Sequence, residues 1–164
     1  MKSEPKPTNI VLNPGEYFVG GANCRISTLL GSCVSISLWH PVKKIGGLSH
    51  FLLSSRGGGK SSELDARYGE EVMLLMLADL KQLGVNASDC QGKIFGGGNM
   101  FPAQVTAGMP NVGKRNGETA RSLLHTHGIS IVSESLYGVG HRQIIFDVNT
   151  GNVWVRQNKL KPAQ

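Results

Sequence analysis

"STLLGSCVSISLWHPVKKIGGLSHF", residues 27–51, sets the topology from which the rest of the chain is read. Val34, Ile36 and Leu38 alternate with Ser35 and Ser37, the period-2 pattern of a strand with one apolar face. "HPVKK" (40–44) reads as a turn, and "IGGLSHFLL" (45–53) as a strand returning beside the first. In such a hairpin the start of one strand lies next to the end of the other. Cys33 and His50, far apart in sequence, therefore become neighbours.

Outward from this hairpin the elements follow in order. "SSRGGGKSSELDARYG" (54–69) carries three consecutive glycines among polar residues and reads as a surface loop bordering a site, or as a plain linker. "YGEEVMLLMLADLKQLGV" (68–85) predicts a helix with Glu70 and Glu71 in its first turn, Lys81 in its last and Gly84 as its stop. Its apolar residues nearly encircle it, so deep burial is expected, with Met73 and Met76 in the core. "GKIFGGGNMF" (92–101) gives a short strand running into a glycine-rich turn, and "VGKRNGETARSLLHTHGI" (112–129) a second helix closed by Gly128. Three strands follow, the last two joined through "NTGN" (149–152), while "IVLNPGEYFVG" (10–20) supplies two short β pieces. The expected organisation is a disordered tail over 1–9, a single α+β domain over 10–158 and a basic tail over 159–164.

Composition narrows the function classes. A chain of 164 residues can bury roughly 70% of the surface it exposes when unfolded, so it needs no disulfide. Its 22 glycines point to tight turns and close backbone approaches. Cys24, Cys33 and Cys90 form no CxxC pair, which argues against a zinc ribbon or a disulfide framework and places the protein in a reducing cytoplasm. The start "MKSEPKPTN" has no apolar leader segment, and no apolar run nears the ~20 residues that span a bilayer. Seventeen Lys and Arg against 11 Asp and Glu give a net charge of +6. The basic residues are scattered and aromatics are few, which fits a solvated basic face rather than a nucleic-acid groove.

Gly31-Ser32-Cys33 before a strand resembles a nucleophile presented on a sharp turn, with backbone N–H groups near Ser32 and Cys33 free to hold an oxyanion. A lone cysteine is more often packing than catalysis; the hairpin neighbour His50 is what raises it, because an imidazole can take the thiol proton and return it to a leaving amine. "GGGN" (96–99) lacks the ending of a phosphate-binding loop and reads as a tight turn beside the cleft. His125 and His127 face different sides of a helix, so no metal is expected, and no cofactor. Cys24 and Cys90 lack an acid-base partner.

Taken together, "LLGSCVSISLWHPVKKIGGLSHFLL", the glycine-rich loop, the Tyr-led helix, "KIFGGGNMF" and "VGKRN" strongly resemble the CheD family of bacterial chemotaxis proteins, over roughly residues 10–157. The resemblance implies a chemoreceptor glutamine deamidase with sandwich-like sheets flanked by two helices, similar to the catalytic domain of cytotoxic necrotizing factor toxins. It implies Cys33 as nucleophile and His50 as base. The family's third residue, typically a threonine six positions before the cysteine, falls on Ser27, with Thr28 as the alternative hydroxyl if the register shifts by one. Ser27 is favoured here, since such a slip would turn Thr28 to the opposite face. The implied partners are chemoreceptor helices and the phosphatase CheC, which leaves a non-catalytic docking module as the competing reading. A general cysteine peptidase or thioesterase would share the dyad.

Overall fold

Strand β4 (Val34–His40) is the pivot of the structure, a computed structural model describing residues 6–58, 63–108 and 110–158, with Val105 and Thr106 described by backbone alone. The other strands are β1 (Thr8–Val11), β2 (Tyr17–Gly20), β3 (Cys24–Leu30), β5 (Ile45–Ser49), β6 (Gln91–Gly96), β7 (Ser130–Leu136), β8 (His141–Asp147) and β9 (Val153–Asn158). The helices are α1 (Gly69–Gln82), the short α2 (Pro102–Thr106) and α3 (Val112–Thr126). A larger mixed sheet runs β2-β5-β4-β6-β7 and a smaller one β1-β3-β8-β9. The fold is α+β, in three layers: small sheet, large sheet, helices.

Side-chain alternation along β4 feeds two separate cores. Val34, Ile36 and Leu38 pack with Val72, Met73, Met76 and Leu80 of α1 and Ala120 and Leu124 of α3. Cys33 and Trp39 turn the other way, toward Ile26 and Leu30 of β3 and Ile144 and Phe146 of β8. The strand expected to have one apolar face is thus buried on both, with Ser35 and Ser37 enclosed between the sheets. A central strand of a three-layer stack has no solvent face, so its serines report packing against a second sheet rather than exposure.

Helix α1 departs from expectation in the other direction. Val72, Met73, Met76 and Leu80 are fully buried, but Leu74 is 46% exposed. The helix lies on one outer face of the large sheet, and only the stripe facing that sheet finds a partner. At the amino end β1 takes in Thr8 and Asn9, assigned above to the tail, because they pair in parallel with Cys24 and Arg25. Residues 1–5, the middle of the glycine-rich loop (59–62) and the basic tail (159–164) lie outside the described residues.

Candidate active site

The hairpin registers the two candidate side chains, Cys33 and His50. Val34 and Phe51 exchange both backbone hydrogen bonds, at 3.1 and 3.0 Å, and Ser37 opposes Leu48 with the same offset. Hence Ser35 stands opposite His50 and Cys33 opposite Leu52. Cys33, Ser35, Leu48 and His50 share the face turned toward the small sheet. Cys33 and His50 are diagonal neighbours on that face, a relation that separates backbones by roughly 7–8 Å and leaves long side chains within reach. The Cys33 thiol is half-buried, whereas His50 is 1% exposed.

A threonine from the opposite sheet orients the imidazole. Thr28 Oγ1 lies 2.6 Å from His50 Nδ1 and donates its proton to the Leu12 carbonyl at 2.8 Å. A hydroxyl has one proton, and with that proton on Leu12 its lone pairs accept from Nδ1–H. The neutral ring therefore carries its proton on Nδ1, and Nε2 is left as the unprotonated, basic nitrogen. This corrects the expectation that Ser27 supplies the hydroxyl. Ile26 and Leu30 are fully buried, so Thr28, which shares their parity, faces inward. Ser27 sits instead in an outward row with Val11, Ile145 and Trp154, all three exposed. The register is fixed by those buried neighbours, whose alternation in "CRISTLL" was the signal available from sequence.

Burial also sets the protonation states. It pushes the Cys33 thiol above its ordinary 9.0 and draws His50 down from 6.5 to about 4. At neutral pH the thiol and the imidazole are accordingly both uncharged. In that state the thiol and the imidazole form no standing ion pair.

The turn carrying Cys33 is held from behind. Gly97 N–H donates to the Cys33 carbonyl and Gly98 N–H to the Gly31 carbonyl, each at 2.9 Å. At Gly96, with φ of +110°, a Cβ would collide with the Cys33 carbonyl oxygen, so only glycine brings the strand this close. Gly113 plays the same part for α3, whose first turn rests on the Gly97 and Gly98 carbonyls. Arg142, buried between the sheets, donates to the Gly96 and Tyr137 carbonyls at 2.6 and 2.5 Å and braces the same turn. Among the described residues, neither Ser32 N–H nor Cys33 N–H donates a hydrogen bond. Beside Ser32 opens a cavity of about 310 Å³ lined also by Gly98, Met100, Phe101, Asn111 and Val112; neither Cys33 nor His50 lines it.

Sequence reading missed Asn116, Arg142 and the inward turn of Thr28. Asn116 had a readable signal: it lies on the stripe Gly113, Gly117, Ala120, Leu124, where a lone amide among small and apolar residues marks a buried polar group.

Comparison with known proteins places the chain in a family. The family model for CheD chemotactic sensory transduction matches residues 52–157. "Probable chemoreceptor glutamine deamidase CheD 2" of Albidiferax ferrireducens is 58% identical over 158 residues, covering 96% of this chain and 91% of the relative. "Probable chemoreceptor glutamine deamidase CheD 3" of Dechloromonas aromatica is 43% identical, covering 89% and 85%. "Probable chemoreceptor glutamine deamidase CheD" of Pseudomonas syringae pv. tomato is 39% identical over 165 residues, covering all of this chain and 98% of the relative. With a family model matching well over half its length and relatives this similar along nearly all of it, the chain belongs to the CheD family.

Proposed function

We propose that the protein is a cysteine-dependent protein-glutamine deamidase that converts chemoreceptor glutamines to glutamates in the cytoplasm. His50 Nε2 takes the Cys33 proton as sulfur attacks the side-chain carboxamide carbon. The N–H groups of Ser32 and Cys33, at the end of the Gly31-Ser32-Cys33 turn, hold the oxyanion. Collapse breaks the C–N bond, His50 returns the proton to the departing ammonia, and a thioester remains. Water, deprotonated by His50, attacks the thioester; the product is glutamate and the proton goes back to sulfur. The observation that carries this reading is the Thr28–His50 hydrogen bond, which fixes the tautomer whose free nitrogen is the base.

The relatives' printed names supply the substrate class. The net charge of +6 suits an acidic receptor helix, and association is expected to weaken with added salt. The test is peptide mapping of a purified receptor fragment incubated with wild-type or Cys33→Ala protein. Conversion at discrete glutamines, with ammonia release, is expected from the wild type alone. Equal conversion by both proteins would remove the cysteine from the mechanism. No conversion by either, with binding retained, would leave docking to receptors or CheC as the function.

A further inference from the structure

The strand pair that carries the site stops pairing at the nucleophile. Past the Val34–Phe51 bridge, the next hydrogen-bonded pair of a regular ladder would join Ser32 to Leu53. It does not form. Leu53 N–H donates to the Arg67 carbonyl at 3.2 Å, and the Leu53 carbonyl accepts from Gly69 N–H at 2.8 Å. Two consequences follow. Ser32 N–H is released from the ladder, and the Ser32 carbonyl loses its ladder donor.

The vacated carbonyl is taken up by a side chain. Asn116 of α3, 1% exposed, donates through Nδ2 to the Ser32 carbonyl at 3.2 Å and to the Leu52 carbonyl at 2.8 Å. Its Oδ1 accepts from Ser54 Oγ at 3.3 Å, and Ser54 Oγ accepts from Thr119 Oγ1 at 2.7 Å. Both amide protons are spent on carbonyls and the amide oxygen faces a hydroxyl, so the orientation of the amide is determined by its partners. Leu52 stands opposite Cys33, and Ser32 precedes it.

From this arrangement we infer that Asn116 is a positioning residue of the active site: it supplies the donor that the Ser32 carbonyl has lost and ties that carbonyl to the Leu52 carbonyl in one side-chain clasp. The clasp holds the turn open at Cys33 and leaves the Ser32 and Cys33 N–H groups as oxyanion donors. This rests on the deamidase reading above and adds the element that keeps those donors unspent. A carboxylate in the same place would present oxygen to two carbonyls and release the clasp, while a methyl group would leave both carbonyls unpartnered.

The test compares Asn116→Asp and Asn116→Ala with wild type, Cys33→Ala and a remote control, Trp39→Phe. Trp39 donates to the Val148 carbonyl at 2.7 Å at the far end of β4, so its variant loses a structural hydrogen bond away from the site. Glutamine conversion on a receptor fragment is measured per folded molecule, together with the rate of Cys33 alkylation by iodoacetamide. Both Asn116 variants are expected to lower kcat by about 10- to 100-fold, with KM and alkylation changed less than about threefold. Alkylation needs the thiol but no oxyanion donors, and so separates a mis-set turn from a collapsed site. Wild-type kcat in both Asn116 variants, or an equal loss in Trp39→Phe, would overturn the inference while leaving the deamidase reading intact. Full activity in Cys33→Ala would overturn both.

Discussion

The two faces of β4 differ in kind. Toward the helices, Val34, Ile36, Met73, Met76, Leu80 and Leu124 form a hydrocarbon layer. Toward the small sheet, Leu30, Leu48 and Phe146 share their layer with Thr28, His50, Ser35 and Arg142, all buried. Among the described residues, Ser35 Oγ and Arg142 Nε in that second layer have no hydrogen-bond partner, a state that costs about 1–3 kcal/mol for each group. One strand therefore separates an all-apolar layer from a layer that gives up some stability to enclose polar groups. Substitutions on the two sides should fail in different ways, and that contrast can be tested.

The largest effect belongs to the polar side. His50→Gln is expected to lower the deamidation rate by about 10³-fold or more, because the proposed base is removed from a set of groups that would act together. Met76→Ala, on the other side, is expected to cost about 2–5 kcal/mol in denaturant unfolding while the rate per folded molecule stays unchanged. A large rate loss in Met76→Ala at full folding would show that the layers are coupled through β4 and would break the contrast.

How much of this was legible depended on which layer a residue faced. The β4–β5 hairpin, both long helices and the closing strands follow from periodicity and turn chemistry within each segment. The pairing of Cys33 with His50 on one face was also readable, because a short hairpin fixes its own register. What crosses between layers was not. Whether Ser35 and Ser37 met water or a second sheet depended on β3 leaving for another sheet, where its partner β8 lies more than 100 residues further along the chain. Asn116 reaches Ser32 across 84 positions, a contact that no local pattern encodes. Thr28 is the instructive intermediate, since its parity with Ile26 and Leu30 was present in the sequence but was outweighed by a family spacing.

The buried imidazole gives the next prediction. The folded chain holds His50 near 4, while the unfolded chain returns it to 6.5. Between those values the unfolded state binds a proton that the folded state refuses, so stability falls as pH falls. The contribution is fully present above 6.5. Its loss approaches about 1.4 kcal/mol per pH unit and sums to roughly 3 kcal/mol by pH 4. Urea unfolding of wild type and His50→Gln at pH 7, 6 and 5 isolates it, because the carboxylates are common to both. The wild type should lose more stability across the series, and parallel curves would mean that the ring is not held neutral by burial.

The smallest expected effects sharpen the contrast within a single strand. Thr28→Val keeps the shape of the side chain but removes the acceptor of His50 Nδ1–H and the donor to the Leu12 carbonyl. Leaving such a buried group unpartnered costs about 1–3 kcal/mol, which, felt in the transition state, is roughly a 5- to 160-fold loss of rate. With the tautomer no longer held, part of the ring population carries its proton on Nε2 and cannot act as base, so the loss should appear in kcat. Ser27→Ala, one residue earlier and on the outward row with Val11 and Trp154, should stay within about twofold in rate and ±0.5 kcal/mol in stability. The reverse ranking would mean that β3 carries the opposite register in the working enzyme. Ile26 and Leu30 would then have to leave the space between the sheets, a rearrangement that amide hydrogen exchange along β3 and β8 would expose independently of activity.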